Sequence, residues 1–379
     1  MDPTHANTMK QEEQSLPRQA RDTPEASPAE DALSCPGNFI AIRLLSRGTF
    51  SKVELVVEKT TGKRVVLKYH NKLRIRMAEY LREFQTSCRL IHPAILVTYD
   101  QPIETDKAFI IVQEYAAQGD LLEAITPQQG LDEERAKSCL SQTASALTFM
   151  HKRLLVHGNV KPENILVFDT NMTIVKLSNF RDTQRRGDTM TKRAPTSPYT
   201  APEISSTVVN EGYTTDYSQD IWAFGVVAFC VLTGVFPWGT ATTEDTSFRN
   251  FTQWQKRRAN LAPLEWRKLS SKIQKFLKKI LDPIAERRCP VDEINKYLRE
   301  QWLKAQPDQA NPKEGDGSGD ESPRAGDVTA MKELRLMLES HGVVTCSDSS
   351  LKRQRIDEWV QAACQQPADA SKTQSASAW

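Results

Sequence analysis

The segment 156–167, VHGNVKPENILV, sets an imidazole, an ammonium and two carboxamides close together, at His157, Asn159, Lys161 and Asn164. Such groups suit phosphate chemistry. An ammonium is a compact charge for a phosphate oxygen, and amide oxygens are neutral dipoles that can face a cation. Proton removal is a different requirement. An amide oxygen is not basic near neutral pH, so Asn159 can orient a hydroxyl but cannot take its proton. The stretch can therefore hold phosphate and face a cation, but Asn159 offers it no base. Two further stretches carry comparable groups: VKLSNFR, with Asn179 and Arg181, and SRGTFSKV followed by VVLK, with Gly48 ahead of Lys68. A lone glycine in a strand turn is ordinarily only a turn; the lysine downstream gives Gly48 its weight.

These residues need elements to hold them. Up to Tyr115 the apolar residues cluster as strands, in FIAIRLL, SKVELVVEK, RVVLKYH and AFIIVQEY, with a glycine-bearing TTGKR turn joining the second to the third. RIRMAEYLREFQTSCRLI between them repeats its apolar residues at helical spacing. Five strands and one main helix are expected before Gly119. Beyond it the pattern turns helical, in DEERAKSCLSQTASALTFMHKR, around Trp222, in SKIQKFLKKIL and in VDEINKYLREQWLK, interrupted by the strand pair NILVF and TIVKLS. The fold class is α+β: a small five-stranded sheet lobe (37–116) followed by a larger helical lobe (117–304). Residues 1–36 read as a disordered tail, 305–328 as a linker, 329–366 as a helical extension and 367–379 as a disordered end.

Composition narrows the function classes. Of 379 residues, 39% are hydrophobic and 26% charged, as in soluble globular proteins. Lys plus Arg number 50 against 48 for Asp plus Glu, a net charge of +2, which argues against a nucleic-acid binder. The seven cysteines never form a CxxC pair, which points to a reducing, cytoplasmic compartment, the nucleus included. The N-terminus has neither a signal core nor a glycine at position 2. Residues 221–243 carry no charge, yet Gly234, Pro237 and Gly239 break their second half. A buried core helix is expected there, not a membrane span.

In order and identity these motifs resemble the eukaryotic protein kinase domain, from about residue 38 to residue 303. SRGTFSKV stands for its glycine-rich loop, VVLK for its strand lysine, HGNVKPEN for its catalytic loop, NFR for Asp-Phe-Gly and APE for itself. SPYTAPEI and DIWAFGVVAFCVLTGVFPW are similar to the SH3-binding-domain Ser/Thr kinases. That resemblance implies a bilobal protein-kinase fold and a set of roles. Ser46, Gly48, Val53, Val66, Gln113 (gatekeeper), Glu114, Ala116 (hinge) and Leu166 would surround a nucleotide. Lys68 would hold its phosphates, paired to Glu83. Lys161 would contact phosphate, and Asn164 and Asn179 would stand at the metal positions. Asn159 occupies the place of the catalytic aspartate and Asn179 that of the magnesium aspartate. Arg181 replaces a glycine, and Asp182, the next acid, is out of register. Gly158 replaces the arginine that pairs with a phosphorylated activation loop, leaving Thr189, Thr191 and Thr196 without that partner. Glu203 is expected to pair with Arg288, and Asp220 to cap the catalytic-loop backbone. The basic run RRGDTMTKR reads as a solvated loop.

The functional expectation is a monomeric pseudokinase that binds other signalling proteins as a scaffold or allosteric regulator. ATP binding would be weak and magnesium binding doubtful. Two rivals stand beside it: a slow, atypical ATP-dependent Ser/Thr kinase, and a switch that binds nucleotide without transferring phosphate.

Overall fold

The computed structural model describes residues 33–48, 51–192 and 196–304; residues 1–32 of the expected N-terminal tail, the linker, the helical extension expected at 329–366 and the end at 367–379 lie outside these. The first element is a five-stranded antiparallel sheet in the order β1-β2-β3-β5-β4. Its strands are β1 (Phe39–Arg47), β2 (Ser51–Glu58), β3 (Arg64–Asn71), β4 (Thr98–Glu104) and β5 (Ala108–Glu114), with helix α1 (Met77–Arg89) between β3 and β4. Strand alternation puts Val66, Lys68 and His70 of β3 on one face, toward the interlobe cleft. β4 has the least strand-like sequence of the five, TYDQPIE. It lies at the sheet edge, where the missing N–H of Pro102 breaks no central ladder, and its pairing with β5 shifts register between Tyr99 and Ile103.

The buried stripe of α1 comprises Tyr80, Glu83, Phe84 and Ser87. Tyr80 stacks on Phe109 of β5 with ring centroids 4.8 Å apart, and Ile75, Phe84 and Ile111 complete this cluster. Burying these five large apolar side chains contributes several kcal/mol, at about 1.5–3 kcal/mol each. The same docking leaves Glu83, one helical step from Phe84, facing β3.

The larger lobe contains α2 (Leu121–Ala124), α3 (Glu133–His151), β6 (Leu155–Val156), β7 (Ile165–Val167), β8 (Val175–Leu177), β9 (Gln184–Arg185), β10 (Thr189–Thr191), α4 (Pro202–Ser205), β11 (Gly212–Thr214), α5 (Tyr217–Thr233), α6 (Thr246–Gln255) and α7 (Ser271–Ile280). Its centre is α5, buried continuously from Trp222 to Thr233. An all-apolar helix needs cover on every side. Trp238, Phe248, Phe251 and Trp266 supply much of that cover. The helix stops at Gly234, which adopts φ 70°; a Cβ there would sit 2.3 Å from the Thr126 carbonyl oxygen. No helix among the described residues is long and apolar enough to cross a membrane.

One helical expectation fails. Residues 291–304 do not form a single helix: a 3₁₀ turn covers Val291–Tyr297 and the chain then departs. The Ser270 amide donates to the Trp302 carbonyl at 2.7 Å, and the Lys304 amide to the Lys268 carbonyl at 2.9 Å. Burying the Trp302 indole against the lobe requires that extended path, which overrides helical propensity.

Candidate active site

The loop 156–164 is held from below by α5. Asp220 accepts from the amides of His157 at 2.7 Å and Gly158 at 2.9 Å, as expected of a cap reaching from the buried helix. The His157 ring is fixed at both nitrogens. Nε2 meets the Ser178 carbonyl at 3.0 Å, and Nδ1 accepts from the Asn159 amide at 3.2 Å. This pattern selects the neutral tautomer with Nε2 protonated. Burial drives the His157 imidazole below its ordinary value, with the Asp220 charge opposing. Phe180 packs edge-on against the ring at 5.5 Å.

On the opposite wall, Lys68 Nζ lies 2.6 Å from Glu83 Oε1 and 3.2 Å from Asn179 Oδ1. Burial alone would raise the Glu83 carboxyl; the Lys68 ammonium, through its charge and its hydrogen bond, and the Arg181 charge hold it below the usual carboxylate range. Arg181 therefore presents its charge to the Lys68–Glu83 corner. Burial pushes the neighbouring His70 imidazole down to about 4 against the pull of Glu83, so it is neutral at physiological pH. The contacts continue from Asn179 Nδ2 to Asn164 Oδ1 at 3.0 Å and from Asn164 Nδ2 to the Asn159 carbonyl at 2.7 Å. A chain of polar contacts thus joins Glu83, Lys68, Asn179, Asn164 and Asn159.

Asn179 adopts the left-handed conformation, φ 65° and ψ 75°, which asparagine tolerates better than most residues. The 3₁₀ turn Phe180–Asp182 follows, pinned by buried Phe180. It carries Asp182 to the catalytic loop, where Asn159 Nδ2 donates to Asp182 Oδ2 at 2.8 Å. Register reasoning set Asp182 aside as a metal ligand and missed this second position. The one sequence signal was an acid immediately after NFR. Gly158 permits the approach: its φ is 75°, and a Cβ on it would lie 2.8 Å from the Asp182 carbonyl oxygen. Gly158→Ala is expected to lower the unfolding free energy by about 1–2 kcal/mol, the cost of a side chain in this backbone region. Denaturant unfolding measures it, and an unchanged midpoint would contradict this account.

Between the walls lies an open cleft of about 2360 Å³. Of the residues expected around a nucleotide, Ser46, Val53, Val66, Lys68, Gln113, Glu114, Ala116 and Leu166 line it, with Asn159, Lys161, Asn164 and Asn179 at its inner end. Gly48 and Glu83 are not part of the lining. Gly48 closes the β1–β2 turn, its amide donating to Ser51 O at 2.8 Å, and Glu83 is reached only through Lys68. Gln113 is committed to Thr98 Oγ1 at 3.0 Å. The Glu114 carboxylate is engaged by Lys176 Nζ at 2.6 Å and the Val97 amide at 2.6 Å, so only its backbone serves the cleft. The Ala116 amide has no hydrogen-bond partner among the described residues. Lys161 Nζ stands 3.3 Å from Glu163.

The donors at the metal corner can be tested directly. Magnesium favours charged oxygens in a near-octahedral set. Here the two oxygens are carboxamides already engaged, Asn179 Oδ1 by Lys68 and Asn164 Oδ1 by Asn179. Among the described residues no three or more His, Cys, Asp or Glu side chains are grouped to hold a metal ion. This donor set does not fit a magnesium centre.

Most of the basic run is exposed, as expected of a solvated segment, and Lys192 is the exception among its described residues. Lys192 is buried, its Nζ donating to the carbonyls of Ile204 at 3.0 Å, Ser205 at 3.2 Å and Thr207 at 2.8 Å and to Thr196 Oγ1 at 3.3 Å. It satisfies the open carbonyls at the end of α4. Arg186, by contrast, remains at the surface, paired with Asp216 at 2.7 Å. Glu203 of α4 meets Arg288 at 2.8 and 2.6 Å, the expected pair.

Comparison with known proteins agrees with this arrangement. Residues 39–303 match the family model described as protein kinase domain. The chain is 43% identical over 266 residues to serine/threonine-protein kinase SBK1 of Danio rerio, covering 70% of this chain and 69% of that one. It is 40% identical over 263 residues to serine/threonine-protein kinase SBK1 of Mus musculus, covering 69% of this chain and 63%, under two thirds, of the relative. To serine/threonine-protein kinase SBK2 of Rattus norvegicus the identity is 36% over 265 residues, covering 69% of this chain and 73% of the relative.

Proposed function

This chain belongs to the protein kinase family, and from that premise we propose that it is a nucleotide-binding kinase homologue that takes up ATP without a magnesium centre. Its main role is to bind other signalling proteins in the cytoplasm in the conformation that the nucleotide stabilises. The observation carrying this reading is the chain of contacts from Glu83 through Lys68 to the amide pair Asn179–Asn164. It keeps an ammonium for the nucleotide phosphates and replaces the metal carboxylate by a neutral group. The adenine end is supported by the unpartnered Ala116 amide and the apolar walls Val53, Val66 and Leu166. Slow transfer to Ser/Thr hydroxyls accompanies the binding role. Its support is the names of the relatives, serine/threonine-protein kinases, and the Asp182 carboxylate beside Asn159.

Thermal unfolding with millimolar ATP tests the binding part. Ligand binding to the native state raises Tm by mass action, and the rise is expected to be equal in EDTA and in magnesium and to vanish in Lys68→Ala. No rise in either buffer would refute nucleotide binding. A rise only with magnesium would refute the metal-free mode.

A further inference from the structure

We propose that Asp182 is the proton acceptor of the transfer reaction, a carboxylate supplied from the turn after Asn179 to a catalytic loop that has lost its own; this rests on the slow-transfer reading above. Three observations converge. Asn159 is held as a bracket: its amide binds His157 Nδ1 at 3.2 Å and its carbonyl takes Asn164 Nδ2 at 2.7 Å. Its side-chain Nδ2 then fixes Asp182 Oδ2 at 2.8 Å, while Oδ1 makes no hydrogen bond among the described residues. Asp182 also lines the cleft together with Lys161 and Asn159. The delivery is built rather than incidental. Buried Phe180 pins the turn, and Gly158, at φ 75°, leaves room for the Asp182 backbone that any Cβ would occupy.

The chemistry divides between two side chains. The Asn159 amide orients and cannot accept a proton, whereas a carboxylate in contact with it can. As the substrate hydroxyl oxygen forms its bond to the γ-phosphorus of ATP, its proton passes to Asp182 Oδ1. The bond from the γ-phosphorus to the bridging oxygen breaks, and its electron pair departs with ADP. Nothing is oxidised or reduced.

The test uses the purified full chain with labelled ATP and casein as acceptor, Lys68→Ala setting the background. Asp182→Asn keeps the volume and a hydrogen bond to Asn159 but removes the base. Turnover is expected to fall about 10²-fold, the lower range for a positioned general base, with KM for ATP unchanged. The exchanged pair, Asn159→Asp with Asp182→Asn, returns a carboxylate to the loop and is expected to recover turnover to within about tenfold of the natural chain. Asp182→Asn turning over within about twofold of the natural chain would overturn the proposal alone. So would an exchanged pair that folds, binds ATP and stays inactive; this second variant decides the matter if Asp182→Asn alone does not fold. A natural chain no more active than Lys68→Ala would overturn the transfer reading, and the proposal with it.

Discussion

Asn179→Asp is expected to convert this chain into a magnesium-dependent kinase, raising transfer by about 10²- to 10³-fold, the several kcal/mol that a metal ion supplies to transition-state charge. The substitution changes two contacts at once. It removes the Nδ2 donor now occupying Asn164 Oδ1, which frees that oxygen for a cation. It also places a carboxylate 3.2 Å from Lys68, near the Arg181 charge, where the new anion is stabilised. Asn159→Asp should gain far less. It would set a second carboxylate against Asp182, 2.8 Å from the present amide, and like charges at that distance resist ionising together. Steady-state turnover of both single variants across a magnesium titration checks the ranking. Equal gains, or none for Asn179→Asp, would refute it.

The largest stability effect is expected at Arg288. Its side chain is 0% exposed and lies 4.8 Å over the Trp222 ring. It binds both Glu203 oxygens, the Ser218 carbonyl at 2.8 Å and the Asp282 carbonyl at 2.9 Å. Arg288→Ala strips donors from two carbonyls and strands a carboxylate, a loss of about 3–5 kcal/mol for a broken buried pair. Glu203 is partly exposed, so the lower end of that range is expected. Denaturant unfolding should show a lower midpoint with the slope unchanged. Because Glu203 sits on α4 and Ser218 on α5, the same variant should loosen the activation segment. A change below about 1 kcal/mol, the worth of an exposed pair, would show the contact to be superficial.

Much of this molecule was legible before any coordinates. RVVLKYH was legible as a strand, and its period of two then puts Val66 and Lys68 on one face in the structure. The breaks at Gly234, Pro237 and Gly239 pointed to a core helix at α5, and the structure buries it continuously from Trp222 to Thr233. The order of motifs further implied the pairs Lys68–Glu83 and Glu203–Arg288 and the Asp220 cap, and the structure contains all three. What escaped the sequence depends on contacts that local pattern does not encode. The 3₁₀ path at 291–297 follows from the docking of Trp302, and the burial of Lys192 from the carbonyls ending α4.

The sequence by itself determined the fold, the family and the chemical poverty of the loop: an amide at 159 cannot be basic wherever the chain folds. Only the tertiary structure decided what stands beside that amide. A left-handed Asn179, a pinned Phe180 and a glycine at 158 bring Asp182 within 2.8 Å of Asn159 from 23 positions along the chain. Residue type sets what a group can do. Which groups act together is set by backbone geometry and packing, and those are properties of the folded chain.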